Sequence, residues 1–226
     1  MALAIATNNA ALNAAASASS VNRDMETSMA RLSSGKRINS ASDDAAGVAI
    51  SSRLSAEICG TDQAIRNALD GQALIDTAEG AHKEIENILQ RMREVGVQAA
   101  NDTNNAQDRS NLQAEMDAML TEIDRIAGTT TWAGADLMED ATTTFSFQVG
   151  AATGAKNQIS VTIATMNATG LGVGDGTVSV IDVETSGATA NAGTALIDAA
   201  IEDVNIQRSE LGAVSNRLNH TVNNLT

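Results

Sequence analysis

Four stretches of this chain carry apolar residues at alternating three- and four-residue steps, in a sequence with no proline. One series runs Ala78, Ala81, Ile85, Ile88, Met92, Val95, Ala99. A second runs Leu112, Met116, Met119, Ile123, Ile126. The longest runs Ile197, Ile201, Val204, Arg208, Leu211, Ser215, Leu218, Val222, Leu225, and Met25, Met29 and Leu32 keep the same step over a shorter span. A mean repeat of about 3.5 residues holds one seam toward a partner helix. The expected fold is therefore mainly α, an elongated, antiparallel, coiled-coil-like helical bundle.

Composition narrows the choice of function. Hydrophobic residues make up 43% of the 226, but aromatic residues only 1%, with no tyrosine. Aliphatic side chains suit thin bundles, whereas ligand pockets are commonly lined with rings. A net charge of −14 argues against nucleic acid, which needs clustered Lys and Arg. Residues 1–50 are balanced, with Arg23, Arg31, Lys36 and Arg37 against Asp24, Glu26, Asp43 and Asp44, so the excess acid lies downstream.

Along the chain, residues 3–33 read as a weakly amphipathic, Ala-rich helix that is marginal in isolation and is expected to order only with a partner. Residues 33–42 form a break around Gly35, and Ser40 or Ser42 is positioned to cap the next helix. That helix runs to residue 100. Asn101 to Asn105 make a turn, and residues 107–127 form a helix expected to pack antiparallel to its predecessor. Residues 142–149 and 158–164 alternate as strands of a small β-hairpin, residues 177–183 read as a third strand, and residues 170–176 as a flexible connection. Helix returns over 190–226. The domain reading is 1–33, 34–43, 44–131, 132–189 and 190–226.

Chemistry is sparse. No catalytic, cofactor or metal site is expected. His82 and His220 read as exposed helix residues without metal-ligand spacing, and lone Cys59 as a small buried one. HExxH, P-loop and GxSxG patterns are lacking, and residues 132–190 contain no histidine. The absence of a signal peptide or a membrane span points by itself to the cytoplasm. One local cluster is distinctive: in Leu89, Gln90, Arg91, Met92, Arg93, Glu94 and Val95, the polar members fall outside the apolar seam. Such a set is either a solvated helix face or a protein-contact surface.

Residues 31–50, reading RLSSGKRINSASDDAAGVAI, closely resemble the N-terminal signature of bacterial flagellin. So do residues 70–80, the LQRMRE run at 89–94, EIDRI at 122–126 and FQVG at 147–150, while RSELGAVSNRL at 208–218 is similar to the family's C-terminal helix. The resemblance implies a self-assembling structural subunit of the flagellar filament, serving motility. It implies an inner-tube helix at 1–33 and a spoke with Ser34, Gly35, Arg37, Asn39, Asp43 and Asp44. The remaining helices and the hairpin would build the outer tube. Partners would be other flagellin subunits, the flagellar export apparatus and capping proteins, and the location the extracellular filament, reached without a signal peptide. The alternative is a ligand for a host innate immune receptor, contacted through Gln90, Arg91 and Glu115, with Val95 where many receptor-binding members have Leu. The chain resembles a short form lacking outer variable domains. The family's pattern continues past Thr226 into a further helix, so a C-terminally truncated flagellin that does not polymerise alone is implied.

Overall fold

The computed structural model describes residues 8–139, 142–174 and 181–226. The chain divides into two compact units, residues 1–59 and 60–226, with one helix contributing to both.

The first unit is built on α1 (Asn9–Ser34). Asn8 caps its start, its side-chain oxygen accepting from the Ala10 and Ala11 amides at 3.1 and 3.2 Å. Gly35 ends it at φ +66°, in the left-handed region where a Cβ is penalised. No residue of α1 is buried, and Leu32 is 81% exposed. The helix thus exists on backbone hydrogen bonds and caps, with its apolar positions open.

The turn after α1 leads into α2 (Ala45–Ala99). The sequence suggested Ser40 or Ser42 as the cap. Asp44 holds that role instead: its Oδ1 accepts from the Gly47 amide at 2.9 Å, while the Ser40 and Ser42 hydroxyls bond each other at 2.7 Å. A shorter path from the last non-helical residue to the third helical amide favours Asp44. Cys59, expected to be buried, is exposed, because it precedes Ala64, the first buried residue of α2.

The second unit is a bundle of the rest of α2 with α3 (Ala106–Thr129), two small hairpins and α4 (Gly187–Leu225). α3 begins with a reciprocal capping box between Asn105 and Asp108, and α4 with one between Ser186 and Thr189. The latter starts α4 three residues before the expected helix at 190–226. Both α3 and α4 run antiparallel to α2. Arg91 meets Glu115, whereas Ala81 and Glu84 share a groove with Glu122 and Arg125. On the other side, Arg93 pairs with Asp198 at 2.6 Å and Arg208 with Glu79 at 2.7 Å. Two glycines let α4 approach. A Cβ on Gly96 would lie 2.7 Å from Thr194 Oγ1, and one on Gly71 would lie 3.3 Å from Leu218.

Between α3 and α4 lie β1 (Thr131–Trp132) and β2 (Ala135–Asp136), then β3 (Thr143–Gln148) and β4 (Gln158–Ile163), each pair antiparallel. The β1–β2 turn has Ala133 and Gly134 at φ +51° and +84°, the paired positive values of a type I′ turn. In the larger hairpin, Ile159, Val161 and Ile163 face the core. On its other face Thr144 pairs with Thr162, and Ser146 with Ser160, hydroxyl to hydroxyl. Asn67 Nδ2 donates to the Gln148 carbonyl at 2.9 Å, tying the hairpin to α2.

The core joins Leu74, Ile85, Leu89 and Met92 of α2 to Met116 and Ile123 of α3, Ile197, Val204, Leu211 and Leu218 of α4, and the hairpin. The presumed flexible connection at 170–176 is packed over its described part, 170–174. Leu171 and Val173 are buried, and the Val173 and Gly174 amides donate to the Ala168 carbonyl. Alternating glycines hid two buried side chains. The third strand read at 177–183 falls largely outside the described residues, and 181–183 take no strand geometry. These three are held by α3, as Gln113 donates to the Ile181 carbonyl at 3.1 Å and accepts from the Val183 amide at 2.9 Å.

Candidate functional site

Two sets of residues single themselves out, one in each unit. In the first unit, the turn between α1 and α2 is organised by carboxylates. Asp43 Oδ2 accepts from the Asn39 and Ser40 amides, both at 3.0 Å. These bonds hold its carboxyl below the usual carboxylate range. Asn39 reaches back to donate to the Ala30 carbonyl of α1 at 3.2 Å. Ser34 Oγ accepts from the Lys36 amide at 3.2 Å, and Arg37 lies 4.0 Å from Asp44. Ser34, Gly35, Asn39, Asp43 and Asp44 therefore fix the path of the turn, and Arg37 stands at its rim.

In the second unit, the exposed strip of α2 contains Gln90, Arg91, Arg93 and Glu94. Arg91 donates to Glu115 of α3 through Nε and Nη2, at 3.2 and 2.9 Å, and to Glu94 through Nη1 at 2.9 Å. Glu86 accepts from Gln90 at 3.2 Å. Arg93 points the other way, to Asp198 on α4. The strip thus bridges from α3 across α2 to α4. Leu89, Met92 and Val95, grouped with it in the sequence, are fully buried. Their side chains belong to the core, and the surface set is Gln90, Arg91, Arg93, Glu94 and half-exposed Glu115.

Residue chemistry alone missed several placements. His82 is buried, where an exposed helix residue was expected; its position on α2, four after Ala78 and three before Ile85, turns it inward. His220 is exposed as read. Gln207 is buried and spans two backbone groups of the hairpin's end, donating to the Thr162 carbonyl at 3.0 Å and accepting from the Ala164 amide at 3.2 Å. Asp124 accepts from the Ala168 amide at 2.7 Å. The available signal was spacing: Gln207 lies three residues after Val204 and four before Leu211. Among the described residues no cluster of His, Cys, Asp or Glu is arranged to hold a metal ion.

Antiparallel helices with a continuous apolar core and ion pairs between elements define a helical-bundle protein. Comparison makes this specific. Residues 5–143 match the bacterial flagellin N-terminal helical region, and residues 194–226 the bacterial flagellin C-terminal helical region. A flagellin of Bacillus subtilis is 41% identical over 97% of this chain and 81% of its own length. One of Halalkalibacterium halodurans is 42% identical over 88% of this chain and 71% of its own. Polar flagellin F of Vibrio parahaemolyticus is 47% identical over 77% of this chain, a match that spans 46% of that relative. The crystal structure of Bacillus cereus flagellin superposes with a TM-score of 0.59 at 34% identity, covering 72% of this chain and 89% of that one. The chain belongs to the bacterial flagellin family, a family of structural and non-enzymatic proteins.

Proposed function

We infer that the chain is a structural subunit of the extracellular flagellar filament and assembles with other flagellin subunits to support motility. One observation carries the assembly reading furthest. α1 is 26 residues long and buries none of them, while Leu12, Val21, Met25, Met29 and Leu32 lie open along it. A helix this exposed gains little from its own chain, and open apolar positions mark an interaction surface. In this reading residues 1–33 enter the inner tube, residues 34–43 are the spoke, and residues 44–131, 132–189 and 190–226 supply the outer tube. Export and capping would use the flagellar apparatus. The Gln90–Arg91–Glu94–Glu115 strip is a subunit contact or, in a second reading, the face met by a host innate immune receptor. Its exposure and its spread over two helices support either use.

Copolymerisation tests the assembly reading. Labelled chain added to growing flagellin filaments is expected to sediment with them and to appear along their length in electron micrographs. A chain that stays in the supernatant while filaments grow overturns the reading. Met25→Ser, Met29→Ser and Leu32→Ser together are expected to reduce incorporation at least about tenfold, since each removes apolar area worth about 1 kcal/mol or more on burial.

A further inference from the structure

His82 is the one histidine inside the bundle, and its surroundings leave it one protonation state that fits. Its Nδ1 lies 2.6 Å from the Ala78 carbonyl. A carbonyl only accepts, so Nδ1 carries the proton and Nε2 is the bare nitrogen. Nε2 is buried and has no hydrogen-bond partner. A second proton would create a buried N–H bearing positive charge with nothing to receive it.

The charged groups around the ring do not supply the missing acceptor. On α2, Glu79 and Glu86 flank His82 by three and four residues. Both are bound by Arg208 of α4: its Nε donates to Glu79 at 2.8 Å, and its Nη1 to Glu86. The guanidinium therefore straddles the turn of α2 that holds the ring, with both carboxylates already engaged. α3 offers no neutralising group, because Glu122 and Arg125 at this level pair with each other and Asp124 is taken by the Ala168 amide. Strands β3 and β4 contain no charged residue. Burial pushes the imidazole below its ordinary value and Arg208 adds to this, outweighing the Ala78 carbonyl and Glu79, which act the other way.

We propose that His82 is an acid-sensitive latch on the α2–α4 contact. As a neutral ring it is a core side chain beneath the Arg208 clamp; on taking a second proton it forces that contact open and loosens the second unit. The sign follows from linkage. The unfolded chain binds the proton near the ordinary histidine value of about 6.5, and the folded chain only at lower pH. The stability is therefore fully present above about pH 6.5 and is lost as pH falls from there toward the folded value. The folding equilibrium shifts by up to about tenfold per pH unit in that window. This lies above the ordinary carboxylate range of about 4, so the effect is separable from general acid unfolding.

The test uses the full chain, with His82→Leu to remove the titrating group and His220→Gln to remove the exposed imidazole. Thermal midpoints of the wild type and of His220→Gln should fall together between about pH 7.5 and about pH 5.5, while His82→Leu should stay flat. Equal slopes in the wild type and His82→Leu overturn the proposal. Should His82→Leu not fold, nitrogen NMR of the native chain decides. The His82 ring should remain in its neutral Nδ1–H form as pH falls below the ordinary histidine value of about 6.5. A His82 ring that takes its second proton at that ordinary value, with the helices intact, would overturn the latch.

Discussion

Gln207 and Gln113 do for the connecting segments what strands do in a sheet. Each presents one carboxamide to a backbone carbonyl and a backbone amide two residues apart: Gln207 to Thr162 and Ala164, Gln113 to Ile181 and Val183. Replacing Gln207 by Leu keeps the volume but orphans two backbone groups. A loss of about 1–3 kcal/mol per orphaned group is expected, read as a lower denaturant midpoint. Leu211 and Asn219 make the complementary pair. Leu211→Asp places a carboxylate where the native side chain is 1% exposed, and is expected to cost at least about 3 kcal/mol. Asn219→Asp, on the exposed side of the same helix, should leave the melting temperature close to the wild type. In the turn before α2, the Asn39 and Ser40 amides favour the ionised form of Asp43. Their contribution is present above the ordinary carboxylate value and is lost as pH falls through the lowered one. Asp43→Asn should remove this acid dependence, as followed by the amide signals of Asn39 and Ser40.

Elements differ in how they are secured. α4 is buried at Ile197, Val204, Leu211 and Leu218 and clamped by Arg208 and Asp198, whereas α1 has caps and nothing buried. Amides of residues 9–34 are expected to exchange with solvent far faster than those of α4 in the unassembled chain, and filament incorporation should slow them; hydrogen exchange before and after assembly measures both. This contrast also marks what could be read from sequence. The helices of the second unit and the larger hairpin were legible because burial there repeats with the period of the element. His82 and Cys59 were not, because residue type was allowed to outweigh position. His82 is carried inward by its register, and Cys59 lies before the first buried residue of α2, Ala64. The β1–β2 hairpin left no alternation to detect, since each strand has two residues and the turn is Ala133–Gly134. The surface strip was legible as a polar run, but its bridging of α3 and α4 needs partners 24 and 105 residues away.

At the scale of the molecule, charge and apolar exposure are separated along the chain. Residues 1–59 hold equal numbers of acids and bases, so the net −14 belongs wholly to residues 60–226. Bringing many copies together therefore crowds acidic surfaces. Added salt should speed copolymerisation from low ionic strength up to about 0.15 M, where the screening length is about 8 Å; sedimentation across a salt series checks this. Optical spectroscopy inherits a further consequence from Trp132. It is the chain's sole indole, in a sequence without tyrosine, and it sits in β1 packed against the core of the second unit. Its fluorescence is consequently a private reporter of that unit. Melting of the bundle is expected to shift its emission, so pairing this emission with circular dichroism sets the loss of that unit apart from changes in total helix content without a label.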